Sequence, residues 1–265
     1  MALKTQHRTR AVTLVEVLVV MSTTALLLGV LLPSLRAARA QTRSTVCLSN
    51  LRQMAIAAQN YTQLNDEYYP PAYLTERIDG VQYYRAWDFT SWRVWSGATA
   101  VRHVKPGFLW MGLTIGKVQQ CPSYGGDTNS FEDPYSGYNY NISFIGRNET
   151  TSPVGTAKAT EVRHPAQTAL FGDGQYEDGA NKFMRAPYGN PRDASFSDAF
   201  RHAGVQGFRH LGQTNAAFCD GSVRSLAVVY TETEASAKAI LDKHNEEAEV
   251  LIGFLSEDNR LYDLD

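Results

Sequence analysis

The stretch that decides the fold is RTRAVTLVEVLVVMSTTALLLGVLLPSLRAARA, residues 8–40. From Val12 to Leu32 it has 21 residues, and Glu16 carries the only charge among them. Because an α-helix rises about 1.5 Å per residue, a run of this length can cross the hydrocarbon core of a bilayer. A carboxylate inside such a span costs about 2.5 to 3.5 kcal/mol on insertion scales, so Glu16 needs a specific reason to be there.

The helical pattern continues beyond the apolar run. One face keeps apolar or weakly polar residues at helical spacing, namely Cys47, Leu51, Met54, Ala58 and Tyr61. Asn65-Asp66 and Pro70-Pro71 then mark the end of the pattern. We therefore predict a single helix over 12–62, with a transmembrane half at 12–32 and an amphipathic half after it.

The apolar run also fits a secretory signal peptide or an ordinary single-pass anchor. A signal peptide is favoured by Ala38-Arg39-Ala40, an A-x-A cleavage pattern that follows a basic segment. Against it, the run is longer than the usual stretch of about 7 to 15 apolar residues, and it contains Glu16. A single-pass anchor accounts for everything except Glu16. Basic residues flank the run equally on both sides, so the positive-inside rule gives no orientation.

The remainder, residues 63–265, reads as short strands separated by turns rich in Gly, Pro, Asn and Asp. We predict a strand over Tyr138–Ile145 and a hairpin with strands at Thr214–Cys219 and Ser222–Val229. A two-residue Asp220-Gly221 turn of type I′ would connect the hairpin strands. A last helix is expected within Glu232–Lys243, with Thr231 as its N-cap. The four tryptophans are assigned to core packing rather than to a partner surface.

The order AVTLVE (residues 11–16), apolar helix, Pro33 and amphipathic extension resembles the class III signal of type IV prepilins and type II secretion pseudopilins. The resemblance implies that a prepilin peptidase removes the leader, residues 1–11, by cutting between Ala11 and Val12. The new amine of Val12 would then be N-methylated. The family usually has Gly where this chain has Ala11, and Phe where it has Val12.

The same resemblance implies a role for Glu16, which lies at the fifth mature position. In a bundle of such helices, the positive amine of a neighbouring subunit can neutralise a carboxylate held in a medium of low dielectric constant. Glu16 would then favour the assembled state and set its register. The alternative is a glutamate that reaches towards water at the membrane surface.

Near the other end, His210, nine residues and Asp220-Gly221 match the C-terminal signature of one family of prepilin-type proteins. That family also tends to have a CxSNLRQ helix and a CPS motif, here CLSNLRQ from Cys47 and CPSY from Cys121. We expect the signature to hold shape rather than to perform chemistry, and we expect Cys47 and Cys121 to be able to form a disulfide.

Composition excludes several other classes. With 265 residues and a net charge of −2 the chain is not a nucleic-acid binder by charge, and its three cysteines contain no CxxC pair for a zinc ribbon or a thioredoxin-like site. Three acidic residues could bind calcium but lack EF-hand spacing, namely Asp127, Glu132 and Asp133. A membrane-tethered hydrolase using His202 or His210 with Asp173 or Asp220 has no supporting nucleophile motif. We therefore predict no enzyme, no cofactor and no metal.

The sequence thus predicts an α+β, pilin-like protein with a long N-terminal helix and a mostly antiparallel β head at residues 63–265. Its expected function is that of a structural subunit of a type II secretion pseudopilus or a type IV pilus-like filament. Expected partners are the prepilin peptidase, other pilin or pseudopilin subunits and the inner membrane, with no nucleic acid. The N-terminus would be cytoplasmic and the head periplasmic or extracellular.

Overall fold

The computed structural model describes residues 13–97, 99–110, 117–126, 128–129, 132–147, 155–177, 179–189 and 198–265. The predicted leader and the cleavage site at Ala11 and Val12 lie outside the described residues. The chain divides into two compact units, with the boundary between Thr42 and Arg43. The second unit is larger than the predicted head, because it also contains the second half of the long helix.

The elements follow in chain order. The helices are α1 (Leu14–Leu64) and α2 (Ala235–Glu247). The strands are β1 (Tyr73–Ile78), β2 (Val81–Ala86), β3 (Phe89–Ser96), β4 (Thr99–Pro106), β5 (Asn139–Asn141), β6 (Ala169–Gly172), β7 (Phe183–Met184), β8 (Gln206–Gly207), β9 (Thr214–Phe218), β10 (Val223–Leu226) and β11 (Ile252–Gly253). A long helix followed by mostly antiparallel strands confirms the predicted α+β class.

The first part of α1 matches the apolar run. Its side chains are exposed, with Leu14 at 80%, Leu26 at 71% and Val30 at 70% of their full accessible surface. Within the described residues, α1 is the one helix long and apolar enough to cross a membrane. Pro33 lies inside α1, and the helix continues on both sides of it.

The second half of α1 supplies the central helix of the second compact unit. Cys47, Leu51, Met54 and Ala58 are fully buried, as their spacing predicts, while Tyr61 is half-buried. Polar residues of the same helix bind loops: Arg52 donates to the carbonyl oxygen of Gly221 at 2.9 Å. This half of α1 is therefore part of the head's own core.

The strands named above form three separate sheets. β1 to β4 make an antiparallel meander in the order β1-β2-β3-β4. The sheet beside the core has the order β10-β9-β6-β5-β7, in which only the β5–β7 pairing is parallel. β8 and β11 pair antiparallel. The strands β5, β6 and β9 are buried along their whole length, so this sheet is the one that packs into the interior.

Several element boundaries differ from the sequence-based expectation, and β10 ends at Leu226 rather than at the predicted Val229. Only Asn139–Asn141 of the predicted strand Tyr138–Ile145 is extended, because a π-helical turn over Ile142–Gly146 follows it. The side chain of Asn141 accepts a hydrogen bond from the backbone N–H of Phe144 and so caps that turn. The last helix begins at Ala235 with Glu234 as its N-cap, and Thr231 has no part in the cap.

The aromatic residues divide between core and surface. Trp87 and Trp110 are buried, and Trp87 packs on the rings of Tyr140 and Phe171 with centroids 5.7 and 5.3 Å away. Trp95, near the end of β3, is 70% exposed. Core packing therefore accounts for Trp87 and Trp110 and fails for Trp95.

A buried ion cluster joins the meander to the inner sheet. The ammonium of Lys182 lies 2.8 Å from Asp88 Oδ1 and 2.6 Å from Asp133 Oδ2, and all three side chains are almost fully buried. Arg102 also reaches Asp133, at 3.2 Å. Burial raises the pKa of Asp88 to about 6, although the charge of Lys182 opposes the shift. In a medium of low dielectric constant, Asp88 depends on Lys182 for charge balance, and Asp133 depends on Lys182 together with Arg102.

We expect Lys182→Met to lower the free energy of unfolding by about 3 to 5 kcal/mol, because it leaves buried carboxylates with too little positive charge. The matched control is Arg93→Met, which removes an exposed contact of 3.4 Å with Glu132 and should cost less than about 1 kcal/mol. Urea denaturation of the detergent-solubilised full chain measures both values. Equal losses for the two variants would contradict the assignment of Lys182 as a structural cation.

Candidate functional site

Four potential ligand residues from distant parts of the sequence meet inside the second compact unit. Cys47 lies on α1, and Cys121 follows a 3₁₀ turn at Lys117–Gln119. Asp173 comes directly after β6, and His210 lies between β8 and β9. We call these four residues the Cys–Asp–His cluster. Their ligand atoms all lie within 4.8 Å of one another, and all four side chains are buried.

The distances inside the cluster are short. Cys47 Sγ lies 3.8 Å from Cys121 Sγ and 2.9 Å from Asp173 Oδ1. His210 Nε2 lies 3.6 Å from Cys121 Sγ and 3.2 Å from Asp173 Oδ2. The ring of His210 therefore faces the cluster through Nε2. Its other nitrogen, Nδ1, is buried and makes no hydrogen bond within the described part of the chain.

Two neighbours hold the cluster from outside. Arg209 donates from Nε to Cys121 Sγ at 3.3 Å, and its guanidinium lies 3.6 Å from Asp173 Oδ1. The backbone N–H of Asn215 donates to Asp173 Oδ2 at 2.7 Å. Since β9 supplies Asn215, the inner sheet fixes the orientation of the Asp173 carboxylate.

The cluster shifts the pKa values of its two thiols in opposite directions. Burial, with its hydrogen bonds to Cys121 and Asp173, raises the pKa of Cys47 well above the ordinary value. Burial also opposes ionisation of Cys121, but the hydrogen bond from Cys47 and the charge of Arg209 outweigh it and hold the pKa of Cys121 well below the ordinary value.

The other two members carry opposite charges. Burial alone would lower the pKa of His210, yet its hydrogen bonds to Asp173 and Cys121 raise it to about 9. Burial would raise the pKa of Asp173, but Arg209 and His210 outweigh burial and lower it. The cluster is thus a buried set of hydrogen-bond donors and acceptors, in which the charge of each group shifts the pKa of its neighbours.

His210 is held at the start of a tight turn. His210 and Gln213 exchange backbone hydrogen bonds of 3.0 and 3.1 Å, and both residues between them have positive φ, +56° at Leu211 and +77° at Gly212. Positive φ at both central positions is the geometry of a type I′ turn. A type I′ turn is therefore present at Leu211-Gly212, directly after His210. Gly212 is the residue in this stretch that favours such a turn.

The predicted type I′ turn at Asp220-Gly221 is wrong. Gly221 has φ +84°, but Asp220 has no positive φ. Phe218 and Ser222 flank a three-residue loop, in which the N–H of Gly221 donates to the carbonyl oxygen of Phe218 at 2.9 Å. This is a type I turn followed by a left-handed glycine. Asp220 Oδ1 accepts from the N–H of Ser222 at 2.8 Å, so its carboxylate supports the turn.

The motifs singled out in the sequence converge in space. Cys47 and Arg52 of CLSNLRQ reach the cluster and the Asp220-Gly221 hairpin respectively, and Cys121 of CPSY joins the cluster. Asp173 is a further member of the cluster, and Arg209 contacts the cluster from outside. The sequence suggests Asp173 only as a hydrolase partner, and it does not point to Arg209, whose sole signal is its position beside His210 in FRHLG.

Cys47 and Cys121 are brought together as predicted, but as free thiols in non-bonded contact. A disulfide has sulfurs about 2.05 Å apart, so the covalent bond stays a prediction. Of the acidic residues considered for calcium, Glu132 and Asp133 face Arg93, Arg102 and Lys182. Asp127 lies outside the described residues.

Glu16 has a local role that the sequence analysis missed. The backbone N–H and the hydroxyl of Thr13 both donate to Glu16 Oε2 at 2.8 Å, and the N–H of Glu16 donates to Thr13 Oγ1 at 3.3 Å. This reciprocal pair is a capping box at the start of α1. Its signal, Thr-x-x-Glu before an apolar run, is present in the sequence. Glu16 Oε1 makes no hydrogen bond among the residues that the structure describes.

The architecture is that of an α+β protein with a long N-terminal helix. Residues 36–101 match a family model described as Protein of unknown function (DUF1559), a pilin-like family of the H-X9-DG type. This match covers the later part of α1 and the strands up to the start of β4, which is less than half of the chain. No curated protein and no solved structure is significantly similar to the chain.

Replacing Gly221 should destabilise the hairpin. A side chain at φ +84° is strained, and its Cβ would lie 3.1 Å from Gln59 Nε2. We expect Gly221→Val to lower the free energy of unfolding by about 1 to 3 kcal/mol. Asp220→Asn keeps an acceptor for Ser222 and should change it by less than about 0.5 kcal/mol. Urea denaturation followed by tryptophan fluorescence measures both, and the reverse order would indicate that the Asp220 carboxylate has a chemical role.

Proposed function

We propose that the chain is a structural subunit of a pseudopilus or pilus-like filament that assembles through the first half of α1. The observation that carries the proposal is the exposure of this apolar segment on every side, from Leu14 to Leu35. In water such a surface is unfavourable by about 25 cal/mol per Å² of apolar area. A bilayer before assembly, and neighbouring helices after it, would remove that cost.

The proposed maturation follows the prepilin resemblance. The prepilin peptidase would cut between Ala11 and Val12, and the amine of Val12 would be methylated. The chain would sit in the inner membrane as a single-pass protein, with its N-terminus in the cytoplasm and its head in the periplasm or outside the cell. The pilin-like family match of residues 36–101 supports this class of function.

Glu16 is proposed to act in assembly as well as in capping. Its Oε2 atom is used by Thr13, which leaves Oε1 to accept from the N-terminal amine of a neighbouring subunit. An uncompensated carboxylate in lipid is costly, so pairing on assembly would favour the filament over the free subunit. The capping contact and the intersubunit contact use different oxygens, so both can exist together.

A structural role, and not catalysis, is proposed for the head. His210 and Asp173 do touch, as the hydrolase alternative requires, but they are buried with Cys121, and the exposed fraction of these three residues is 2% or less. Arg209 is one of the residues that line a surface groove of about 490 Å³, and neither Cys121 nor His210 lines it. A substrate atom could reach the cluster only if the surrounding side chains moved, so no residue of the cluster is proposed as catalytic.

The mature protein should begin at Val12 and carry one N-terminal methyl group. Intact-mass spectrometry of protein purified from membranes of a host with a prepilin peptidase measures this directly. A chain that starts at Gln41 would indicate a cleaved signal peptide, and one that retains Met1 would indicate a plain anchor. Either result would contradict the proposed maturation.

Charge and capping at Glu16 can be separated by substitution. Glu16→Gln keeps an acceptor for the capping box but removes the charge, so we expect normal insertion and about tenfold or greater loss of crosslinked multimers. Thr13→Ala is the matched control: it removes the capping hydroxyl, costs about 1 kcal/mol of local helix stability and should retain the multimers.

In vivo crosslinking between subunits, compared at equal membrane levels of each variant, gives the measurement. Unchanged multimers in Glu16→Gln together with their loss in Thr13→Ala would mean that Glu16 acts only as a cap.

A further inference from the structure

We propose that the Cys–Asp–His cluster is a structural zinc site. The ligands are two sulfurs, one carboxylate oxygen and one imidazole nitrogen, from Cys47 Sγ, Cys121 Sγ, Asp173 Oδ1 and His210 Nε2. The donor set of thiolates with imidazole is the one that Zn²⁺ prefers in proteins. The sequence has no CxxC spacing that would indicate a zinc site, because each ligand comes from a different part of the fold.

Two of the separations between ligand atoms fit a tetrahedron around zinc. With Zn–S of about 2.3 Å and Zn–N of about 2.0 to 2.1 Å, tetrahedral coordination puts two sulfurs about 3.8 Å apart and a sulfur and a nitrogen about 3.6 Å apart. The structure has 3.8 Å between Cys47 Sγ and Cys121 Sγ, and 3.6 Å between Cys121 Sγ and His210 Nε2. These two edges already match a bound ion.

One edge is shorter than a zinc site requires. Cys47 Sγ and Asp173 Oδ1 are 2.9 Å apart, with the thiol donating a short hydrogen bond to the carboxylate. A zinc-bound sulfur and oxygen lie about 3.5 Å apart, so this edge lengthens by about half an ångström when the metal replaces the thiol proton.

The charges of the cluster match a divalent cation. In their ligating forms Cys47, Cys121 and Asp173 contribute three negative charges, while His210 is neutral. Arg209, in contact with Cys121 and Asp173, reduces the sum to minus two. A zinc ion brings this enclosed group to neutrality, which a low-dielectric interior favours.

The outer contacts are of the kind that orients zinc ligands. Arg209 donates to Cys121 Sγ, as N–H groups commonly do to metal-bound thiolates. The N–H of Asn215 holds Asp173 Oδ2, while Oδ1 accepts from Cys47 Sγ. The type I′ turn at Leu211-Gly212 fixes the backbone of His210.

Burial identifies the site as structural. Cys47, Cys121 and Asp173 have no exposed surface and His210 has 2%. Four protein ligands fill a tetrahedral zinc ion, which leaves no open position for water or substrate. The ion would connect α1 to the loop that contains Cys121, to the end of β6 and to the turn before β9. It would thereby hold the helix in the head, whether or not the chain assembles into a filament.

The measurement is the metal content of the full-length protein, purified in detergent without chelators. Plasma mass spectrometry should find about one zinc ion per chain. Cys121→Ser and His210→Ala should each reduce this content about tenfold or more. Cys219→Ser, the matched control, replaces a third buried cysteine outside the cluster and should keep the zinc.

Cobalt substitution tests the ligands without depending on a destabilising variant. The wild-type protein reconstituted with Co²⁺ should show a thiolate-to-cobalt charge-transfer band and the intense visible bands of a tetrahedral ion. His210→Cys supplies a third thiolate, so it should retain the metal and raise the charge-transfer intensity by about half.

Three results would overturn the zinc site. The first is a wild-type protein with no stoichiometric zinc and no tetrahedral cobalt spectrum. The second is a Cys47–Cys121 disulfide in non-reducing peptide maps of the protein as purified, since those sulfurs could not then bind a metal. The third is equal loss of zinc from Cys219→Ser and Cys121→Ser.

Discussion

The structure depends on one constraint: a single continuous helix must satisfy two different environments. Leu14 to Leu35 is apolar on all sides, whereas the stretch after Arg43 buries one face through Cys47, Leu51 and Met54. Burying these side chains contributes about 1.5 to 3 kcal/mol each for the larger ones. Residues of β5, β6 and β9, which are buried along their whole length, belong to the same core as this face.

The interior of the head also contains two groups of ionisable side chains. Lys182 lies between Asp88 and Asp133, and Arg209 lies against Cys121 and Asp173. Buried charges contribute little net stability compared with apolar residues of equal volume, but losing one partner is strongly destabilising. Both groups join segments far apart in the chain, so they define which loops meet more than they add to stability.

Glu16 has a local role in the structure, and the proposed filament would give it an intermolecular role as well. Its contact with Thr13 satisfies backbone N–H groups at the start of α1, which no preceding turn of helix can satisfy. That need exists in the isolated chain, whereas the proposed charge pairing would exist only between chains. The two roles would require the same residue for different reasons, and the second oxygen of the carboxylate would allow both.

Features with short-range causes were predictable from the sequence. The bounds of α1 and its buried face follow from a 3.6-residue period, and a turn at Gly221 follows from Asp-Gly between apolar runs. The turn type was not predictable, because pairing of Phe218 with Ser222 decides it. The Cys–Asp–His cluster was also beyond the sequence: no local pattern links residues 47, 121, 173 and 210, and only the packing of α1 against the inner sheet brings them together. Periodicity and turn chemistry act over a few residues, whereas the partners of a buried polar group are set by the whole chain.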